Sequence, residues 1–231
     1  MKRTKFLLIT VLLIAMYNLS IAEFDTIAGG ARPTGMGKAF TSIVDDTNAV
    51  FYNPAGILQL DKGRFESGYT RLLTGLTDGS DLNNRYLSYV TPMAKLGAMG
   101  FGLYTFNLAG YYTESVWYLS YAQHLDEYIT AVFPNRLLAG VTIKQLTKRY
   151  DHDAYTLSDP LFMKGYTKDG FAIDIGFLYK VMEHNNSISL VILNLNQPSM
   201  DLNDSSSKLP VVIKLGIAYR IDTVNFDFEL E

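Results

Sequence analysis

The chain contains three histidines, His124, His152 and His184, and no cysteine. Protein metal sites gather such ligands at short, repeated spacings. These histidines are scattered, and Asp151-His152-Asp153 reads as a solvated turn. The neighbours Asp45 and Asp46 stand too close in sequence for the opposed carboxylates that must flank a glycosidic bond. Gly35-Met36-Gly37 and Gly97-Ala98-Met99-Gly100-Phe101-Gly102 are glycine-dense, yet neither forms the Gly-x-Gly-x-x-Gly turn between strand and helix that cradles a pyrophosphate. No Gly-x-Ser-x-Gly elbow occurs either. Neither an enzyme nor a bound metal or cofactor is therefore expected. The pair Asn53-Pro54 has a conformational role instead. Proline fixes its own φ and drives Asn53 out of the helical region, while the asparagine side chain can bond nearby backbone groups.

That pair lies in a stretch, Gly29 to Leu60, with no clean helical or strand period. Glycine, proline, Asp45-Asp46 and Asn53-Pro54 interrupt it too often for one regular element. Its small apolar and aromatic residues are too numerous for a free linker. A compact, buried, irregular plug fits that composition. The order of motifs is a Gly-Ala-Arg opening, Gly35-Met36-Gly37, a small apolar run, Asp45-Asp46-Thr47-Asn48-Ala49, and then Tyr52-Asn53-Pro54-Ala55-Gly56-Ile57. This resembles the N-terminus of the FadL superfamily of outer-membrane proteins, and is most similar to its PorV/PorQ branch. The resemblance implies a hatch inside a β-barrel, residues 23–62, with Gly35, Gly37, Asp45, Asp46, Asn48, Asn53, Pro54, Ala55 and Gly56 forming its motif. It also implies a bacterial outer-membrane location and either of two roles. One is passage of hydrophobic, fatty-acid-like small molecules, and the other is docking of secreted proteins. Fold alone does not choose between them.

The ends and the composition agree with export. Lys2, Arg3 and Lys5 precede an apolar run from Phe6 to Met16, and Ser20-Ile21-Ala22 offers small residues at signal-peptidase spacing, so residues 1–22 read as a signal peptide. A membrane-anchoring helix is disfavoured, because the uncharged run is short and contains Asn18 and Ser20. A net charge of −3 gives no basic excess for nucleic acid. Sixteen tyrosines and thirteen phenylalanines against one tryptophan, with little helical pattern, point to an all-β chain.

From Gly63 the sequence divides into runs of about nine to twelve residues separated by turn-forming clusters. Nine strands are expected, near 63–73, 85–93, 98–107, 115–125, 136–149, 170–181, 187–195, 210–221 and 223–230. Phe171, Ile173, Ile175, Phe177 and Tyr179 alternate with Ala172, Asp174, Gly176 and Lys180. Val211 to Ile221 and Val224 to Leu230 repeat that period of two. Strands this long match a tilted bilayer span, whereas globular strands usually run five or six residues. Longer and shorter connections also alternate, apart from residues 126–135. Ala98, Gly100 and Gly102 opposite Met99, Phe101 and Leu103 admit two readings, a smooth inner wall that a plug can approach, or a local bulge. The loop 149–169 reads as an outer lid or as a solvated loop.

The expected fold is thus an all-β, transmembrane antiparallel β-barrel with the hatch in its lumen and lipid outside. Lys144, Asp174, Lys214 and Arg220 are the lumen-facing candidates. Asp46 and Asn48 are expected to tie the plug to Lys144, Lys214 or Arg220, and a polar change at Asp174 or Lys214 is expected to cost little. Nine strands are odd and too few for a barrel that holds a plug, since an eight-stranded barrel is filled by its own side chains. The sequence therefore suggests a chain truncated before its last strands, or one that associates to close. The alternative fold is a secreted soluble β-sandwich acting as an adhesin or structural protein.

Overall fold

A computed structural model describes residue 24 and residues 29–73, 75, 81–125, 137–151, 156–162, 165–181, 186–202, 208–220 and 225–230. The expected signal peptide lies outside these residues, as do His152 and His184. The protein is all-β. Its single sheet has nine antiparallel strands in sequence order, each paired with the next. They are β1 (Arg64–Arg71), β2 (Leu82–Pro92), β3 (Ala98–Leu108), β4 (Tyr112–His124), β5 (Leu137–Tyr150), β6 (Thr167–Val181), β7 (Asn186–Leu193), β8 (Val212–Arg220) and β9 (Asn225–Leu230). β1 and β9 do not pair with one another, so the sheet is open.

Alternation dictates how the two faces differ. Trp117 and Leu119 of β4 point one way while Val116, Tyr118 and Ser120 point the other, and the same holds along β5 for Val141 and Ile143 against Thr142 and Lys144. The first face is apolar and exposed, including Phe65, Phe101, Trp117, Ile143, Phe171 and Ile213. The second face is covered and carries small or polar residues, among them Ser88, Ser120, Thr142, Asp174 and Ser189.

The covering comes from the N-terminal segment. It contains a short helix α1 (Ala31–Gly35), a second helix α2 (Ala49–Tyr52) and a 3-10 turn η1 (Pro54–Gln59). Phe40, Val44, Val50, Phe51, Ala55 and Ile57 form one core with Val90, Ala98, Tyr104, Ala122, Leu138 and Leu178 of the sheet. Edge-to-face rings fix its centre, with Phe51 and Tyr118 centroids 5.0 Å apart and Phe40 and Tyr52 5.5 Å apart. The glycines of β3 decide between wall and bulge. β3 pairs residue for residue with both neighbours, so no bulge exists. A Cβ at Gly100 would lie 2.7 Å from Val50, and one at Gly102 2.7 Å from Phe51. These positions are smooth wall against the segment.

Parts of the loop 149–169 are also described. Phe162 stacks on Tyr166 at 5.1 Å and meets Tyr150 at 5.3 Å, while Tyr150 meets Tyr112 at 4.8 Å. Its apolar middle therefore folds back onto the strand ends.

Candidate functional site

The seat of the N-terminal segment on the sheet is the candidate site, and Asn53 is its centre. Pro54 holds Asn53 in an extended conformation, with φ −157° and ψ 107°. In that position the fully buried side chain serves three backbone groups. Its Nδ2 donates to Thr41 O at 2.9 Å and to Phe177 O of β6 at 3.2 Å, and its Oδ1 accepts from Ala55 N at 3.0 Å. One side chain thus starts η1, braces the segment and grips the wall. The wall provides room for it, since a Cβ at Gly176 would stand 2.1 Å from Asn53 Oδ1 and one at Gly140 would stand 2.5 Å from Pro54 C.

The other motif residues divide by role. Gly56 packs against Val44 of its own segment, where a Cβ would come within 2.4 Å. Val44 is buried with φ +33°, a strained conformation for a β-branched residue. Gln59 holds that turn by donating Nε2 to Ile43 O at 2.7 Å and to Val44 O at 3.0 Å. Gly37 takes φ +63° in an open turn, and a Cβ at Gly35 would meet nothing within 4 Å, so neither glycine serves close packing.

The expected ties of Asp46 and Asn48 to Lys144 or Lys214 do not form. Arg32 lies nearer in the segment's own turn, and it donates to Asp45 and, at 3.2 Å, to Asp46 Oδ2. Its hydrogen bond to Asp45 raises the Arg32 pKa above the ordinary arginine value. Asn48 is held by Glu66, an inward-facing residue of β1 that the sequence reading missed. Glu66 Oε2 accepts from Thr47 Oγ1 and Asn48 Nδ2, both at 3.0 Å, and Oε1 accepts from the Tyr86 hydroxyl at 2.7 Å. Its signal was present in the alternation of Phe65, Ser67 and Tyr69 against Glu66.

Three more attachments escaped the sequence reading. Ser187 Oγ donates to Ser42 O, Ser189 Oγ donates to Thr41 Oγ1 at 3.2 Å, and Phe40 N donates to Glu229 Oε2 at 3.2 Å. The serines alternate with Ile188 and Leu190, which marks them as inward. Burial, and then the negative charge of Glu229, push the Tyr52 pKa upward.

Lys144, Asp174 and Lys214 do share the covered face, but they are buried in pairs and not solvated. Lys144 Nζ lies 2.8 Å from Asp174 Oδ1, and Lys214 Nζ lies 3.8 Å from Glu229 Oε1. The expected tolerance at Asp174 is therefore corrected, because removing one partner of a buried pair leaves an uncompensated charge. Arg220 ends β8, opposite Asn225. Among the described residues no group of three potential metal ligands stands together, and no helix is long and apolar enough to cross a membrane.

Asn53→Ala should loosen this seat without melting the sheet. It leaves Thr41 O, Phe177 O and Ala55 N without their partner, at a cost of ~1–3 kcal/mol. Limited proteolysis in the 29–60 segment should accelerate while the far-ultraviolet dichroism of the sheet persists. Loss of the β signal together with the segment would make Asn53 a folding residue for the whole sheet.

No family model matches the chain, and no curated protein matches it.

Proposed function

We propose that this chain forms wall and plug of an outer-membrane β-barrel of FadL type, in which hydrophobic small molecules pass when the plug shifts. One observation carries the reading. The face packed against the segment mixes glycine, polar and buried apolar residues, whereas the uncovered face is apolar across β1 to β8. A soluble sandwich needs its apolar face buried against a second sheet. Among the described residues no element covers that face, and lipid is the solvent that suits it. Strands of up to fifteen residues support the same reading.

The segment's attachments suit a movable part. They are hydrogen bonds and an apolar core, while the ion pairs of Arg32 with Asp45 and Asp46 lie within the segment itself. Exposed Tyr111 and Leu157 beside the aromatic cluster of the loop ends favour a second reading, docking of a secreted protein there. In either reading the outer edges of β1 and β9 must be paired within the bilayer, because lipid leaves each free N–H or C=O unsatisfied at several kcal/mol.

The single tryptophan tests lipid contact directly. Trp117 is 45% exposed on the apolar face. In vesicles whose acyl chains carry bromine its fluorescence should be strongly quenched, with a blue-shifted maximum, and soluble iodide should quench it little. Iodide quenching without bromine quenching, in protein that stays in the aqueous phase on detergent partition, would overturn the membrane reading. Transport then calls for uptake of a hydrophobic fluorescent probe into the same vesicles. Binding of an exported protein to the loop end without probe uptake would favour docking.

A further inference from the structure

The connection between β7 and β8 does not simply extend beyond the strand ends. Its described limbs, residues 194–202 and 208–211, turn back over the covered face at the opposite end from Asn53. Met200, 1% exposed, and Leu209 form a second core with Val116, Leu146 and Ala172. A Cβ at Gly170 would stand 2.5 Å from Met200 Sδ, so the wall is again cut back for an inserted chain. The limbs are joined to each other by Leu209 N donating to Pro198 O at 2.9 Å and by the bridge between Ser199 and Lys208.

Asn194 roots this strap in the buried ion pair of the wall. It sits at φ +54°, a left-handed conformation that asparagine tolerates better than most residues. Its backbone N donates to Asp174 Oδ1 at 2.9 Å, and its Oδ1 accepts from Lys144 Nζ at 2.8 Å. Its Nδ2 reaches Pro210 O in the returning limb at 3.2 Å. Both limbs are thereby fastened to the Lys144 and Asp174 pair. Next to it, Leu195 N donates to Ile173 O, and Asn196 exchanges hydrogen bonds with Phe171 O and Ile173 N. These bonds serve β6 beyond Ile175, where its pairing with β7 ends.

We propose that the strap is a second closure of the same interior, in series with the N-terminal plug and released separately from it, with Asn194 on the Lys144 and Asp174 pair as its latch. The proposal rests on the reading that the covered face lines an interior. The two closures have separate apolar cores; Tyr118 packs against both, and Phe24, ahead of the plug's described body, packs against the strap's core. Their polar anchors are also separate. Glu66, Asn53, Ser187, Ser189 and Glu229 hold the plug, while Lys144, Asp174 and Asn194 hold the strap. Elements with separate cores and separate anchors open as separate local units. A solute crossing the interior would then need both to open, and neither closure alone would seal or free the path.

The absence of native cysteine allows a direct test on the full chain, folded in detergent or vesicles. Cysteine is introduced at Met200 to report the strap or at Val50 to report the plug, and its reaction with a maleimide is timed. Asp174→Asn should speed labelling at position 200 by about tenfold or more and leave position 50 protected, whereas Glu66→Gln should do the reverse. Asn194→Ala should repeat the Asp174→Asn result without leaving a buried charge unpaired, and it serves if Asp174→Asn does not fold. Joint exposure of both cysteines in either variant would show one cooperative unit and overturn the proposal. Continued protection of position 200 in both latch variants would overturn it too. Failure of the membrane reading is seen separately, as loss of bromine quenching at Trp117 with this protection pattern intact.

Discussion

On the proposed membrane reading, Ile143→Lys is expected to cost ~2–4 kcal/mol, the penalty of a lysine on the lipid face near the bilayer midplane. Ile143 lies on the central strand β5, flanked in register by Leu119 and Ile173, and is 52% exposed. In water such a substitution falls within about 0.5 kcal/mol of neutral, because a half-exposed surface side chain has little packing to lose. The two environments thus give opposite expectations for one mutation. Denaturant titration in vesicles should register the penalty, and Ile213→Lys, also outward and exposed on β8, should share it. If both variants insert and resist denaturant as well as the parent, the apolar face is not in contact with lipid.

Gly140→Ala is expected to unseat the N-terminal segment. Its Cβ would meet the backbone of Pro54 and Ala55 at 2.5 and 2.6 Å, and backbone cannot rotate away as a side-chain tip can. Overpacking of this kind costs ~1–3 kcal/mol. The strain falls on the contact between segment and sheet, while the ladders from β4 to β6 stay registered through their own hydrogen bonds. Labelling of a cysteine at Val50 should therefore accelerate with the β dichroism unchanged. Gly176→Ala should act likewise, its Cβ lying 2.1 Å from Asn53 Oδ1. Gly35→Ala, with nothing within 4 Å, is the neutral comparison. Equal labelling of the Gly140→Ala and Gly35→Ala variants would mean that the glycine wall does not set the fit.

Much of the sheet was legible in the sequence because its determinants are local. Period-two alternation in Phe171 to Tyr179 fixes which residues share a face, and the turn clusters fix where strands end to within a few residues. The turn at Asn53 was legible for the same reason, since Pro54 constrains its neighbour whatever surrounds it. Gly35 and Gly37 stand in open turns, as their place in a punctuated stretch suggests, whereas the close packing of Gly140 and Gly176 shows only in the neighbouring atoms.

The amino-acid sequence by itself determined the all-β class, the order and polarity of the two sheet faces, and the extended conformation before Pro54, because each follows from bonds and sterics within a few residues. Only the tertiary structure decided that β3 is unbulged wall, that Glu66 and not Lys144 holds Asn48, and that Lys144 and Asp174 form a buried pair capped by Asn194. The contacts of Glu66 and of the Lys144, Asp174 and Asn194 group join residues from 18 to 50 positions apart. Their partners are selected by strand register and by the competition of Arg32 for Asp45 and Asp46, which no local pattern encodes.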